Sequence, residues 1–295
     1  MNRRIAPQLR IAERYTLAEK LGSGGQGEVW RAFDEQNSES VALKILCRTF
    51  APGRDPLELL QREHRVVSEL DHPLILKTYA PLCDGELAVL PMKLAAGGDL
   101  RRLRGAPFLE IVPVLIDLAQ ALEHAHARGV VHRDLKPANV LFDDRGRVQL
   151  ADFGVAGWAQ EGTPIDQACT GWSPSSASPQ LLKGLPPTPS DDLYGLGALA
   201  FELLTGTPPY FPDFSVQRVL HDPVPIIEPV HLTPARLLGL VHSLLAKNPR
   251  HRPQSMRRVI TGLTAALDDP QTREYLMLAA SARELAATPA VIPEC

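Results

Sequence analysis

Apolar and polar positions change their period along the chain. From Tyr15 to about Leu46 the apolar residues come in short runs: one ends at Leu21, a second spans Val29 to Phe33, and a third spans Val41 to Leu46. A glycine-rich turn and the polar stretch Gln36 to Ser40 separate them, which predicts an antiparallel β start. Between Asp55 and Leu70 the spacing of Leu59, Leu60, Val66, Val67 and Leu70 becomes helical, with Asp55-Pro56 as the entry. A further strand pair is expected around Leu74 to Leu90. The small polar turn Gly97-Gly98-Asp99 then reads as a connection to a second region.

That second region is helical. Leu115, Leu118, Leu122 and Ala125 mark an amphipathic helix ending near Gly129, and Leu193 to Leu204 and Leu237 to Leu245 mark two more. Pro113 is expected in the first turn of its helix, where the absent N–H does least harm. Gly162 to Pro189 is rich in Ser, Pro, Thr and Gly and predicts a long structured loop, a kind of segment that usually carries function. There is no internal repeat. The expected fold class is α+β, a small β-rich part with one helix followed by a larger, mostly helical part.

Composition narrows the function more than the architecture. With 31 Lys and Arg against 34 Asp and Glu, the net charge of −3 gives no basic field for a nucleic-acid backbone or an anionic membrane. Cys47, Cys83, Cys169 and Cys295 form no CxxC pair, which argues against a disulfide scaffold or thiolate zinc site and fits a reducing cytoplasm. The N-terminal residues lack the continuous apolar core of a signal peptide, and no stretch approaches the 18 or so apolar residues of a membrane span. A cytoplasmic protein with no membrane anchor and no nucleic-acid partner is expected.

The chemistry lies in ordered motifs. Gly22-Ser23-Gly24-Gly25-Gln26-Gly27-Glu28-Val29 fits GxGxxGxV between two predicted strands, where missing β-carbons let backbone N–H groups approach phosphate oxygens. A strand rather than a helix follows, and no Walker pattern is present, so the loop reads as a lid over phosphates. Lys44 closes the apolar strand Val41-Ala42-Leu43-Lys44 and needs an anion there; Glu63 on the following helix is chosen over Glu58 and Glu69. The run His132-Arg133-Asp134-Leu135-Lys136-Pro137-Ala138-Asn139 is followed by Asp152-Phe153-Gly154. Asp134 is suited to take or orient a hydroxyl proton, Lys136 to neutralise a moving phosphoryl group, and Asn139 with Asp152 to supply hard oxygen ligands for Mg²⁺.

This ordered set resembles the eukaryotic-type (Hanks-type) Ser/Thr protein kinase family in its compact bacterial form. Ser178-Pro179-Gln180 stands in place of APE, Asp192-Leu193-Tyr194-Gly195-Leu196-Gly197 resembles DxWSxG, and Asn248-Pro249-Arg250-His251-Arg252-Pro253 continues the likeness. The resemblance implies a bilobal kinase domain over residues 15–267, with lobes of about 15–94 and 95–267, an N-terminal extension 1–14 and a tail 268–295. It implies ATP and Mg²⁺ in the cleft, protein substrates, and autophosphorylation with a homodimer as one route. Gly22, Gly24, Gly25 and Gly27 would face the phosphates. Leu21 and Val29 would cover adenine and ribose above Ala42, with Leu90 as gatekeeper, Pro91 to Leu94 as hinge with Met92 in contact, Leu141 beside the nucleotide and Asp99 at the ribose. Lys136 is the Ser/Thr rather than the Tyr pattern. A scaffold without catalysis and a small-molecule phosphotransferase are the competing readings.

Departures from the family pattern are also visible. Gln180 replaces the usual Glu, so its expected partner Arg252 would receive a neutral acceptor, a loss of roughly 1 kcal/mol. Arg133 suggests a pocket for a phosphorylated loop residue, with Thr163, Thr170, Ser173 and Ser175 as candidates, while Gly157 stands where a second basic residue is common. His124 and His126 point to different helix faces and make no zinc pair. Arg101, Arg102 and Arg104 read as a solvated helix start or a site for an acidic partner, and Trp30, Trp158 and Trp172 as packing or loop anchors.

Overall fold

The computed structural model describes residues 5–24, 27–47, 55–154, 156–158, 174–270 and 272. Its first part is a sheet of six strands: β1 (Arg10–Ile11), β2 (Tyr15–Gly24), β3 (Gly27–Asp34), β4 (Glu39–Leu46), β5 (Leu82–Asp84) and β6 (Leu87–Lys93). They pair antiparallel in the order β1-β2-β3-β4-β6-β5. Strand β4 shows why this sheet holds. Val41, Leu43 and Ile45 pack with Ile11, Leu17, Trp30 and Val89 on one side, while Ala42 and Leu46 pack with Leu60, Leu76, Leu90 and Met92 on the other. The period of two thus serves two apolar faces.

Helix α1 (Pro56–Ser68) begins as expected at Asp55, whose carboxylate accepts from Leu57 N. It lays Leu60, Glu63, Val66 and Val67 inward. The strand pair expected between Leu74 and Leu90 lies later, at β5 and β6. Residues Leu74 to Leu76 instead bond to Leu150: Leu76 N donates to Leu150 O and Leu150 N to Leu74 O. That long-range pairing takes the backbone groups a local hairpin would have used.

The second part is built on α2 (Phe108–Ala127), the strand pairs β7 (Val130–Val131) with β10 (Gly157–Trp158) and β8 (Val140–Phe142) with β9 (Val148–Leu150), then α3 (Pro179–Leu182), α4 (Pro189–Thr205), α5 (Val216–His221), α6 (Ala235–Leu244) and α7 (Met256–Leu267). Helix α4 is central: every residue from Asp191 to Leu204 is buried. Its Gly197 is required by packing, since a β-carbon there would lie 2.6 Å from the Leu244 side chain. Leu118, Leu122, Leu196, Leu199, Val241 and Val259 join one core, each worth about 1.5–3 kcal/mol in burial.

Pro113 lies inside α2, not in its first turn, because the helix starts at Phe108. Its missing donor leaves one carbonyl of the first turn without a helical partner. Residues before Tyr15 add the edge strand β1, with Ile11 fully buried. The segment expected as a long loop contains α3, with Ser178 as its N-cap. No helix among the described residues is long and apolar enough to cross a membrane.

Candidate functional site

Lys44 emerges from β4 into a cleft between the two parts. Its Nζ donates to Glu63 Oε2 at 2.8 Å and to Asp152 Oδ1 at 2.8 Å. Glu63 comes from α1 and Asp152 from the turn after β9, so one ammonium ties together three separate stretches of chain. Burial opposes the charge on Lys44, but Asp152 and Glu63 outweigh it and raise its pKa above the ordinary lysine value. Burial and the nearby Asp152 charge raise Glu63. Asp152 is also opposed by burial, yet Lys44 and Lys136 hold it below the usual carboxylate range. Gly154 completes the fit, because a β-carbon there would meet Asp152 Oδ1 at 3.2 Å and Glu63 Oε2 at 3.3 Å.

The second cluster sits on the loop after β7. Lys136 Nζ donates to Asp134 Oδ2 at 2.6 Å, and Asn139 Nδ2 donates to the same oxygen at 3.0 Å and to Asp134 O at 2.9 Å. Asn139 is therefore oriented with its amide nitrogen toward Asp134. Asp192, at the start of α4, accepts from His132 N at 2.9 Å, from Arg133 N at 2.8 Å and from His126 Nε2 at 2.7 Å. His132 spans the loop, with Nε2 donating to Ala151 O at 3.1 Å and Nδ1 accepting from Asp134 N at 3.3 Å. Arg133 and Asp152 have φ of +72° and +63°, a strain of roughly 1–3 kcal/mol each that the surrounding bonds must overcome.

A cleft of about 540 Å³ is lined by Lys44, Glu63, Lys136, Asn139 and Asp152, while Asp134 is fully buried behind Lys136 and Asn139. Leu21, Val29, Ala42, Met92 and Leu141 give it apolar walls; Lys44, Lys136, Asn139 and Asp152 stand at its polar end; and Asp99 lies on its rim. The glycines differ in purpose. Gly27 has φ of +117°, and a β-carbon there would sit 2.4 Å from Ile45 O, so the hairpin itself demands glycine. Gly22 and Gly24 line the cleft with nothing within 4 Å of an added β-carbon, so packing does not require them; room for a close backbone approach is the remaining physical reason. Gly25 lies outside the described residues.

Leu90 is where the expected arrangement changes. It is fully buried and packs with Leu60 and Ala88 behind the cleft, opposite Lys44 in the β4–β6 register, whereas Met92 pairs with Ala42 and lines the cleft. The expected hinge shifts with it. Pro91 pairs with Leu43 inside the sheet, and Lys93, Leu94, Ala95 and Ala96 border the cleft. The two leading side chains share a face because strand residues repeat every two positions, and only the register tells which one meets Ala42.

Beyond the cleft, Gln180 Oε1 accepts from Arg252 Nη2 at 2.6 Å, the neutral contact expected there. Arg252 also donates to Ala246 O and Ser190 O, each at 2.8 Å. The arginine run is held internally: Arg101 by Asp99, Arg102 by Gly97 O and the Phe142 ring, and Arg104 by Glu202. Trp30 is a packing residue, buried with its Nε1 donating to Glu28. Ser175 is half-buried; Thr163, Thr170, Ser173 and Trp172 lie outside the described residues. Sequence reasoning assigned Asp192 to a helix start and missed its part in holding the loop. Two adjacent acidic residues, Asp191 and Asp192, entering an otherwise apolar helix were the available signal.

A family model described as protein kinase domain matches residues 15–262. The chain is 36% identical over 266 residues to the serine/threonine-protein kinase PkaA of Streptomyces coelicolor, covering 83% of this chain and 48% of that protein. It is 33% identical to the serine/threonine-protein kinase PknB of Mycobacterium leprae, covering 83% and 42%. The DNA damage-responsive serine/threonine-protein kinase RqkA of Deinococcus radiodurans is also 33% identical, with 85% and 39% covered. The chain thus spans less than half the length of these relatives. Matched along most of its length by that family model, and carrying Lys44, Asn139 and Asp152 on one cleft with Asp134 bonded behind Asn139, the chain belongs to the protein kinase domain family.

Proposed function

We propose that this chain transfers the γ-phosphoryl group of Mg·ATP to Ser and Thr hydroxyls of protein substrates. The observation that carries this reading is the pairing of Lys44 with both Glu63 and Asp152 at 2.8 Å, beside the Asp134, Lys136 and Asn139 cluster. Lys44 is placed to hold the α- and β-phosphates, with Glu63 keeping its position. Asp134 takes the proton of the attacking hydroxyl as its oxygen bonds to the γ-phosphorus and the bond to the β-phosphate oxygen breaks. Lys136 neutralises charge on the group in transfer. The contribution is positioning and charge, not covalent chemistry.

Asn139 and Asp152 suit a small hard cation, since they offer an amide and a carboxylate oxygen at one end of the cleft and leave its remaining ligands to phosphates and water. When bound there, Mg²⁺ supplies neutralisation of the phosphate oxygens. Leu21, Val29, Ala42, Met92 and Leu141 form the base-binding walls, with Gly22, Gly24, Gly25 and Gly27 over the phosphates. The working unit we infer is residues 15–267, divided near residue 94, with 1–14 and 268–295 as flanking segments. It acts in the cytoplasm, phosphorylates itself as well as other proteins, and uses a second copy for that step.

Radiolabelled γ-phosphate transfer to the protein itself and to a generic basic protein tests this. Incorporation should disappear in Asp134→Asn. ATP binding without incorporation by the unaltered chain would overturn the catalytic reading in favour of a scaffold.

A further inference from the structure

Asp99 sits on the cleft rim between its two chemical ends. It bridges Leu141 of the apolar wall, and the polar end of the cleft holds Lys44, Lys136 and Asp152. A nucleotide with its base against the first and its phosphates against the second brings its sugar past Asp99. The Asp99 carboxylate is already engaged. Oδ1 accepts from Arg101 N at 3.0 Å and Arg101 Nε at 2.9 Å, and Oδ2 accepts from Nε at 3.0 Å and Nη2 at 2.5 Å. A carboxylate has about four lone-pair sites, and Arg101 alone directs three hydrogens at them, the one on Nε shared between both oxygens.

The backbone makes this pairing local and recurrent. Asp99 caps the 3₁₀ turn Leu100–Leu103, so the Arg101 amide and guanidinium reach the same side chain from two positions along. Arg101 itself lines the cleft, and its side chain is 59% exposed against 20% for Asp99. The hydrogen bond from Arg101 is the leading influence that lowers the Asp99 pKa.

We propose that Arg101 is a specificity-determining residue that withdraws Asp99 from the sugar hydroxyls, so that the cleft distinguishes ribose from deoxyribose weakly. This rests on the reading of the cleft as an ATP site. A 2′- or 3′-hydroxyl meets a carboxylate whose two oxygens are both already engaged by a charged partner, and the guanidinium beside it cannot accept the hydroxyl proton. Arg101 acts on the sugar through Asp99 and is a positioning residue in that sense.

Calorimetric titration of the full chain with ATP, 2′-deoxy-ATP and 3′-deoxy-ATP at fixed Mg²⁺ provides the test. Dissociation constants for the three should lie within about threefold in the unaltered protein. In Arg101→Ala, Asp99 is released, and ATP should become favoured over the deoxy forms by about tenfold, the size of one charge-assisted hydrogen bond partly exposed to water. Arg101→Lys, which cannot make the forked contact, should fall between. Adding Asp99→Ala to Arg101→Ala, which removes the acceptor altogether, should return the ratio to near one, which a merely structural role for Arg101 would not do. A tenfold preference already present in the unaltered protein, or a ratio unmoved in Arg101→Ala while ATP still binds, overturns the proposal. Failure of the unaltered protein to bind any of the three would remove the ATP reading beneath it.

Discussion

Lys44 and Arg252 are both buried cations fixed by short hydrogen bonds, and their surroundings meet the cost of burial in opposite ways. Lys44 has two carboxylates, Glu63 and Asp152, for one ammonium. Arg252 has Gln180, the Ser190 hydroxyl and three backbone carbonyls as direct acceptors, with Asp191 acting only through its charge. Lys247 adds a second cation nearby, donating to Tyr210 Oη and Val219 O. The pKa values follow this difference. Lys44 is raised, whereas burial lowers Arg252 to about 10, and burial, aided by Arg252, lowers Lys247 to about 8. Two carboxylates in direct contact keep the cleft lysine charged, while the anchor near α3 is held by neutral acceptors and feels Asp191 and Asp222 only at a distance.

Removing the cleft cation should give the largest effect. Lys44→Met should lower phosphate transfer by about a thousandfold or more, and it leaves Glu63 and Asp152 facing each other, so thermal unfolding should show a loss of roughly 3 kcal/mol. Glu63→Gln leaves Asp152 to hold the ammonium. Transfer should fall by about 10- to 100-fold in that variant, with ATP affinity changed less than the rate.

The reverse experiment makes the anchor resemble the cleft. Gln180→Glu gives Arg252 a carboxylate and should stabilise the protein by about 1 kcal/mol, seen as a rise of roughly 2–4 °C in melting temperature. An unchanged or lowered melting temperature would mean that the neutral acceptors and Asp191 already offset the Arg252 charge.

The smallest effect is in pH. Lys247 has a folded pKa of about 8 against an ordinary 10.5. Between pH 8 and 10 the unfolded chain keeps this proton while the folded one releases it, so stability should rise with pH in that window. Because Lys247 is only half-buried, the gain is on the order of 1 kcal/mol or less. Above pH 10 Tyr210, pushed up to about 12 by burial, acts in the opposite sense. Melting curves across the window should lose this slope in Lys247→Met and show less of it in Gln180→Glu.

The cleft was legible in the sequence because its chemistry lies in short ordered motifs. Lys44, Asp134, Lys136, Asn139 and Asp152 each stand in a local pattern, and Glu63 was the only helical acid of three brought to the lysine. What could not be read was register and distance. Leu90 and Met92 are equally apolar and share a face, so the wall residue depended on the pairing of Met92 with Ala42. Strand β1 was hidden because Ile5, Leu9 and Ile11 are separated by polar residues, although the last is fully buried. Lys247 gave no local signal, since its burial comes from Tyr210 and Val219, 37 and 28 positions away.

The three donors that converge on Asp192 have a consequence for isotope exchange. The amides of His132 and Arg133 belong to a loop, yet both end on a carboxylate that is 0% exposed and rooted in the most buried helix. Their hydrogens can meet solvent deuterium only when α4 itself separates from the loop, so they should exchange about as slowly as the helix core. In this fold the loop that carries Asp134 should be among the last parts to breathe.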